Sequence, residues 1–426
     1  MRIGLIGCGT VGSSLVSLLR DEGDLLADRL GEQIEIARIA VRDLERERDA
    51  VIDRALLTAS WQEVVSDPEI EMIVELMGDV PDALETIQSA LAAGKSVVSA
   101  NKAVLSRHLA ELEEQARLVE RDIFFEAAVA GGVPLIRALR ISLFGERLSR
   151  IVGIVNGTTN FVLTRMQEDG VEFEEALSKA RELGYAEADP TSDLDGSDAA
   201  AKAAIMASLA FGRKVTAANV RRTGIEGISA SDFLFARRNG WTIKLLAVAE
   251  HYGTAAGSTL NVEVFPALVP SSHPLAGVRD SFNAVFVEGN AVGELMFFGP
   301  GAGGMPTASA VLGDVIEAAH NLRTATRARV VIQEKASFVP TEAIFARFSI
   351  SMEVLDEPGV LARVSEVFGS FEISIARMEQ LEVEDGVARL VFLTHQTALH
   401  AIDRASAELE KLEVVVRLHR SFRVFA

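Results

Sequence analysis

The chain has 426 residues, enough for two or three domains with complete cores. Half of it is hydrophobic and a quarter charged, and 42 Lys+Arg against 61 Asp+Glu leave a formal charge of -19, so neither nucleic acid nor an anionic membrane suits it as main partner. Cys8 is the only cysteine, which excludes an intramolecular disulfide and a cysteine-based metal cluster and fits a reducing cytoplasm.

From Met1 to about residue 130, short apolar runs alternate with helical periodicity: strands in RIGLIG, EIARIAV, MIVELMG, SVVSAN and IFFEAAV, helices in VGSSLVSLLRDEG, PDALETIQSALAAG and HLAELEEQARLVER. Strands separated by helices predict βαβ crossovers, a parallel sheet and helices on both faces, a Rossmann-type doubly wound α/β fold. The N-terminal MRIGLIGCG is glycine-broken and has no small-residue cleavage pattern, so no secretory signal is expected, and no apolar run is long enough to span a bilayer.

Gly7-Cys8-Gly9-Thr10-Val11-Gly12 is a G-x-G-x-x-G between the first strand and the first helix. That setting predicts dinucleotide binding, with Gly7 for the tight turn, Gly9 for approach of the pyrophosphate and Gly12 for helix–strand packing. The second strand ends Val41-Arg42-Asp43; Arg42, with Arg46 or Arg48, would clamp a 2′-phosphate and favours NADP, while Asp43 keeps NAD open and Arg42 as a plain surface cation is nearly as good a reading. Lys102 follows the strand SVVSAN, where a parallel sheet opens toward its ligands. Glu126-Ala-Ala-Val129-Ala-Gly131-Gly-Val133 is a strand leading into a glycine turn, a domain crossing whose carbonyls and carboxylate could also hold a hard cation.

Residues 131–304 read as a mixed α+β domain: a strand IVGIV, a turn and N-cap at Asn156-Gly157-Thr158-Thr159-Asn160, a helix FVLTRMQEDG, and later strands STLNVEVFPALV, NAVFVEG and ELMFFG. Between them lies GYAEADPTSDLDGSDAAAK, Gly184 to Lys202, with Glu187, Asp189, Asp193, Asp195 and Asp198. Such a run is most often a solvated face, and Asp193, Asp195 and Gly196 fall at positions three, five and six of a calcium loop counted from Thr191. Thr191 at position one and Lys202 at position twelve spoil that count. Asp198 and Lys202 instead share a helix face four residues apart, a carboxylate and an ammonium able to bind an amino acid and move a proton.

A second glycine loop, Gly299-Pro-Gly301-Ala-Gly303-Gly304, opens a helix near 305–322 expected to return to the cofactor. Residues 323–344 read as a connector, and 345–426 as strand, helix, strand, strand (ISIARMEQLEVE, VARLVFLTHQ), helix and a last strand VVVRLHRSFRVF, the ferredoxin-like βαββαβ order.

The motifs GCGTVG, SANKAVLS, EAAVAGGVPLI, NGTTNF, GYAEADPTSDLDGSDAAAK and GPGAGGMPTASAV together resemble homoserine dehydrogenase along essentially the whole chain, and Asp356-Glu-Pro358-Gly359-Val360-Leu361-Ala362 resembles the signature of an ACT domain. No aspartate kinase segment precedes them, which is similar to the monofunctional form. The resemblance implies NAD(P)H-dependent reduction of L-aspartate 4-semialdehyde to L-homoserine, on the path to threonine, methionine and isoleucine. It implies Lys202 as general acid/base with Lys102 beside the cofactor and the reacting oxygen, Glu187, Asp193 and Asp198 with Gly184, Tyr185 and Thr158 around the substrate, and Gly7, Gly9, Thr10, Val11, Gly12, Arg42, Lys102 and Gly303 around the cofactor. It further implies a sodium site at Glu126, Val129, Gly131 and Val133, a homodimer or higher oligomer, and an amino-acid effector at the ACT-like block. Many members carry N-I-S-I after the first helix of that block; here Glu372 replaces the asparagine, which separates threonine feedback from folding and dimerisation.

Overall fold

The computed structural model describes residues 1–78, 80–253, 259–328, 332, 334–381 and 386–425. Residue 258, parts of the connector (329–331 and 333) and the end of the strand expected from Ile373 (382–385) lie outside the described residues.

The N-terminal strands β1 (Arg2–Ile6), β2 (Glu35–Ala40), β3 (Leu57–Thr58), β4 (Met72–Glu75), β5 (Ser96–Ser99) and β6 (Ile123–Phe124) form a parallel sheet in the order β3-β2-β1-β4-β5-β6. Alternate residues serve opposite faces. Ile3, Leu5, Met72, Val74 and Val98 join Leu15 and Leu19 of the helix Thr10–Asp21 in one core, whereas Ile6, Ile73 and Val97 join Ile87, Leu91, Val104 and Leu105 in the other. Burial on both faces explains why these strands are nearly all aliphatic. The chain leaves β1 for β2 on one side and returns to β4 on the other, so a crevice opens outside the carboxyl ends of β1 and β4.

The helix Gly304–Thr324 packs against this unit. Ala308, Val311 and Val315 pack with Leu15 and Leu19, and a Cβ at Gly304 would stand 2.7 Å from Ser14 Oγ, so that glycine lets two helix ends cross closely. Three short elements carried too little periodicity to be foreseen: the helices Gly23–Leu30 and Trp61–Ser66 and the two-residue β3.

Two elements differ from expectation near the site. The run IFFEAAV is a strand only over Ile123–Phe124 and then turns through Glu126–Ala128, because the buried Glu126 carboxylate accepts the amides of Ile136 and Arg137 at 2.7 Å each and draws the backbone off the ladder. The helix expected from about His108 begins at Lys102 instead, with Asn101 Oδ1 accepting the Val104 amide at 3.2 Å as its cap.

The second sheet starts at the edge strand Gly293–Pro300 and runs through Phe282–Gly289, β7 (Leu148–Ile154), Trp241–Tyr252 and Thr259–Pro270. The helices Gly157–Asp169 and Ser197–Phe211 cover one face, with Phe161, Val162, Ala203 and Ala207 against Ile151, Ile243 and Val285. The C-terminal block shows the expected βαββαβ order, except that VVVRLHRSFRVF is two strands, Val415–Leu418 and Phe422–Val424. The second piece pairs parallel with Thr259–Pro270 and antiparallel with Phe345–Leu355, joining both regions into one sheet. Arg423 anchors this second piece: its guanidinium reaches the buried Glu263 at 2.6 Å and lies 3.9 Å from the Phe265 ring centroid. Among the described residues no helix is long and apolar enough to cross a membrane.

Candidate active site

The first loop behaves as its glycines require. Gly7 has φ +95°, and a Cβ there would lie 2.6 Å from Leu76 O; a Cβ at Gly12 would lie 2.5 Å from Gly7 O. Gly9, the cap of the helix Thr10–Asp21, has no atom within 4 Å of its missing Cβ, so the backbone amides at that helix start face open space. A cleft of about 700 Å³ runs from Gly7, Cys8 and Gly9 past Leu76, Met77 and Gly78 to Arg42, Asp43, Arg46 and Arg48. Asp43 is engaged locally, its Oδ1 accepting the amides of Glu45 at 2.9 Å and Arg46 at 3.2 Å. Thr10 and Val11 occupy the first helical turn beside Gly9, and Gly303 (φ +126°) caps the returning helix. The glycine loop, Arg42 and Gly303 are therefore gathered around one helix crossing and one cleft.

The acidic stretch has a definite centre. Asp198 lies in the first turn of the helix Ser197–Phe211 and is buried; its Oδ1 is 2.8 Å from Lys102 Nζ and its Oδ2 2.7 Å from Lys202 Nζ. Lys202 Nζ also donates to Val155 O at 2.6 Å. Two ammoniums on one carboxylate set the charges. Burial alone would raise Asp198, but Lys202 and then Lys102 hold it far below the usual carboxylate range. Lys202 goes the other way: burial lowers it, Asp198 resists, and the Lys102 charge adds to the lowering. For Lys102 burial is outweighed by Asp198, then Asp193 and Glu187, and its ammonium is held above the ordinary lysine value. As the first residue of a helix, Lys102 also faces the positive end of the helix dipole, which the Asp198 carboxylate offsets.

The other carboxylates divide as their partners dictate. Asp189 caps Thr191, accepting its amide and hydroxyl at 3.1 and 2.6 Å, and Asp195 accepts the Ser197 amide and hydroxyl, both at 2.7 Å; these two shape the loop. Glu187 is exposed and Asp193 half-buried, and both act electrostatically on Lys102. Thr158 Oγ1 donates to Tyr185 O at 2.6 Å, the Tyr185 ring lies 4.9 Å from that of Phe161, and Gly184 turns the chain at φ +76° with nothing near its missing Cβ.

Asn156 was legible only as a helix cap, and it is more. Its Oδ1 accepts the Thr159 amide at 2.8 Å while its Nδ2 donates to Asp193 Oδ1 at 2.6 Å and Asp198 Oδ2 at 2.8 Å, which ties the acidic loop to the helix below it. In the sequence Glu75 is simply a residue inside the expected strand MIVELMG, which the structure ends at Glu75 itself. A lone acid inside the apolar run MIVELM is the signal that could have found it.

Near the chain crossing, Glu126 and Asp314 are both buried; the Arg137 guanidinium is 3.1 Å from Asp314 Oδ1 and 2.7 Å from Glu317 Oε2, while Glu126 accepts the Arg137 backbone amide. Burial and then the Glu126 charge push Asp314 up to about 8, and burial also raises Glu126. Ala130 and Gly131 take left-handed φ of 57° and 49° in succession, and a Cβ at Gly131 would meet Gly301 O at 2.4 Å, which locks this turn against the second glycine loop. Val133 O accepts the Leu135 amide at 2.8 Å. No group of three or more His, Cys, Asp or Glu side chains suited to a metal occurs among the described residues.

Known proteins match this arrangement along the chain. The family model for the homoserine dehydrogenase NAD binding domain matches residues 7–126, that for homoserine dehydrogenase 134–316, and that for the ACT domain 348–414. A homoserine dehydrogenase from Mycobacterium leprae is 46% identical over 97% of this chain and 95% of its own. The crystal structure of a homoserine dehydrogenase from Thiobacillus denitrificans superposes with a TM-score of 0.93 at 34% identity, covering 100% of this chain and 98% of its own. A hyperthermophilic archaeal homoserine dehydrogenase in complex with NADPH gives 0.63 at 29% identity, over 74% of this chain and 97% of that one. With family models and relatives of matching length covering nearly all of it, the chain belongs to the homoserine dehydrogenase family, NAD(P)-dependent oxidoreductases that interconvert L-aspartate 4-semialdehyde and L-homoserine.

Proposed function

We propose that Lys202 gives the proton and Lys102 holds the charge when this enzyme reduces the aldehyde. One observation carries the reading: a single buried carboxylate, Asp198, bridges both ammoniums at 2.7 and 2.8 Å. When bound, the reduced nicotinamide supplies the hydride to the aldehyde carbon. Negative charge then grows on the aldehyde oxygen, and one N–H proton closes the balance to an alcohol. Lys202 spends two of its three N–H bonds on Val155 O and Asp198, which leaves one for that oxygen. Its lowered pKa suits a donor, and the raised pKa of Lys102 suits a permanent positive charge. Glu187 and Asp193 face the substrate ammonium, with Gly184, Tyr185 and Thr158 shaping its pocket.

For the cofactor, NADP is preferred over NAD. Arg42, Arg46 and Arg48 line the far end of the cleft, and Asp43 is already occupied by two amides instead of being turned toward ribose hydroxyls. The archaeal relative's NADPH complex agrees with this choice. A sodium ion would sit at Glu126 and the carbonyls of Val129, Gly131 and Val133, a reading supported by the second buried carboxyl group, Asp314, whose oxygen accepts the Glu126 amide. The assembly is a homodimer or higher oligomer working in the cytoplasm, and the ACT domain takes an amino-acid effector, with Glu372 at φ +58° where an asparagine would sit more easily.

Replacing Lys202 tests the assignment. In Lys202→Ala, turnover falls about a hundredfold or more while NADPH binding stays within about twofold. Ordinary turnover would reduce Lys202 to a counter-ion of Asp198.

A further inference from the structure

Glu75 closes β4 and is fully buried, yet both its oxygens are spent on neutral donors: Oε1 accepts the Met77 amide at 2.6 Å and Oε2 the Ser99 hydroxyl at 2.6 Å. A buried carboxyl without a cation is costly, and an aliphatic side chain would complete the core at that position. Its use lies in what the hydrogen bonds join. Ser99 Oγ, while donating to Glu75, accepts the Asn101 amide at 3.1 Å. Asn101 then sends its Nδ2 to Met77 O at 3.2 Å, and its Oδ1 caps the helix at the Val104 amide. Glu75, Ser99, Asn101 and Met77 thus form a closed ring of hydrogen bonds that ties the end of β4 to the end of β5, and the residue after Asn101 is Lys102.

We propose that Glu75 is a positioning residue for the reaction: through Ser99 and Asn101 its carboxyl group sets the first turn of the helix that begins at Lys102, and with it the place of the Lys102 ammonium. The need is geometric. The Lys102 side chain is 45% exposed and its ammonium pairs with Asp198, so the backbone from which it reaches decides where its charge lies. Displacements on the scale of an ångström in such a site cost about a hundredfold in rate, and a partial loosening costs correspondingly less. The inference rests on the reading that Lys102 acts at the reacting oxygen.

A double-mutant cycle separates positioning from general support. Ser99→Ala cuts the link between Glu75 and Asn101 but leaves the Met77 contact; it lowers kcat about tenfold and leaves the cofactor KM within about threefold. In a Lys102→Ala background the same change lowers kcat less than about twofold, because there is no ammonium left to misplace. If Ser99→Ala does not yield folded protein, Glu75→Gln goes through the same cycle; it keeps the shape and the acceptor for Met77 but turns an amide donor toward Ser99, with the same factors expected. Equal loss in both backgrounds, with Lys102→Ala itself impaired, overturns the positioning role alone. A Lys102→Ala enzyme with native turnover overturns the role of Lys102 and this inference with it.

Discussion

Asp198 and Glu75 are both buried carboxyl groups, one in front of Lys102 and one behind it, and their charges are set in opposite ways. Asp198 has two ammoniums within 2.8 Å and is held far below the usual range. Glu75 has only a hydroxyl and amides, and burial pushes it up to about 7. Burial alone therefore predicts neither the sign of a shift nor the job: a carboxylate between cations organises charge, and a carboxyl among dipoles organises backbone. Glu126, whose two oxygens accept backbone amides, falls on the Glu75 side of that divide, and Asp314 is pushed up by burial even with Arg137 3.1 Å away.

The largest effect should come from breaking the Asp198 side. Asp198→Ala leaves two ammoniums without their shared anion, and we expect a loss of about 3–5 kcal/mol in chemical or thermal unfolding together with near-complete loss of turnover. A stable, active variant would mean that the lysines do not depend on this carboxylate.

The Glu75 side is sharpened by pH. Its folded pKa, about 7, lies above the ordinary 4.5, so between these values the folded protein keeps a proton that the unfolded chain has lost. Stability from this group is thus greatest at low pH and falls as pH rises through that window, by roughly 3 kcal/mol in all. Melting curves of Glu75→Gln should lack that part of the decline, and identical slopes in both proteins would refute the raised pKa.

Arg42→Ala serves as a control outside both carboxyl groups: NADPH affinity should weaken about tenfold, with NADH affinity and kcat little changed. Equal weakening of both cofactors in equilibrium titrations would remove the 2′-phosphate role. The smallest effect concerns the third carboxyl group setting. Replacing sodium by a bulky organic cation at equal ionic strength should lower the melting temperature by about 1–4 °C in the native enzyme and not in Glu126→Gln; equal responses would speak against an ion there.

Much of this architecture was legible in the chain. Aliphatic strands between amphipathic helices announced the parallel sheet, and the G-x-G-x-x-G with the spacing of Asp198 and Lys202 announced the cofactor loop and one ion pair. Local pattern could not show that Lys102, 96 positions before Asp198, closes on the same carboxylate, since only the fold brings the helix beginning at Lys102 against that beginning at Ser197. Asn156 hid behind its capping role, and Glu75 behind the strand that contains it. The last strand reads as continuous in the sequence, whereas its second half is held by partners that local pattern cannot show, among them Glu263, 160 residues from Arg423.

The central claim is that Lys202 supplies the proton, and chemical rescue tests it most directly. NADPH oxidation by L-aspartate 4-semialdehyde would be followed for Lys202→Ala and Lys102→Ala with and without methylammonium. The account predicts that the Lys202→Ala enzyme, slowed about a hundredfold or more, regains about tenfold with the added amine while Lys102→Ala does not. Native-like turnover by Lys202→Ala without amine, or rescue confined to Lys102→Ala, would contradict it.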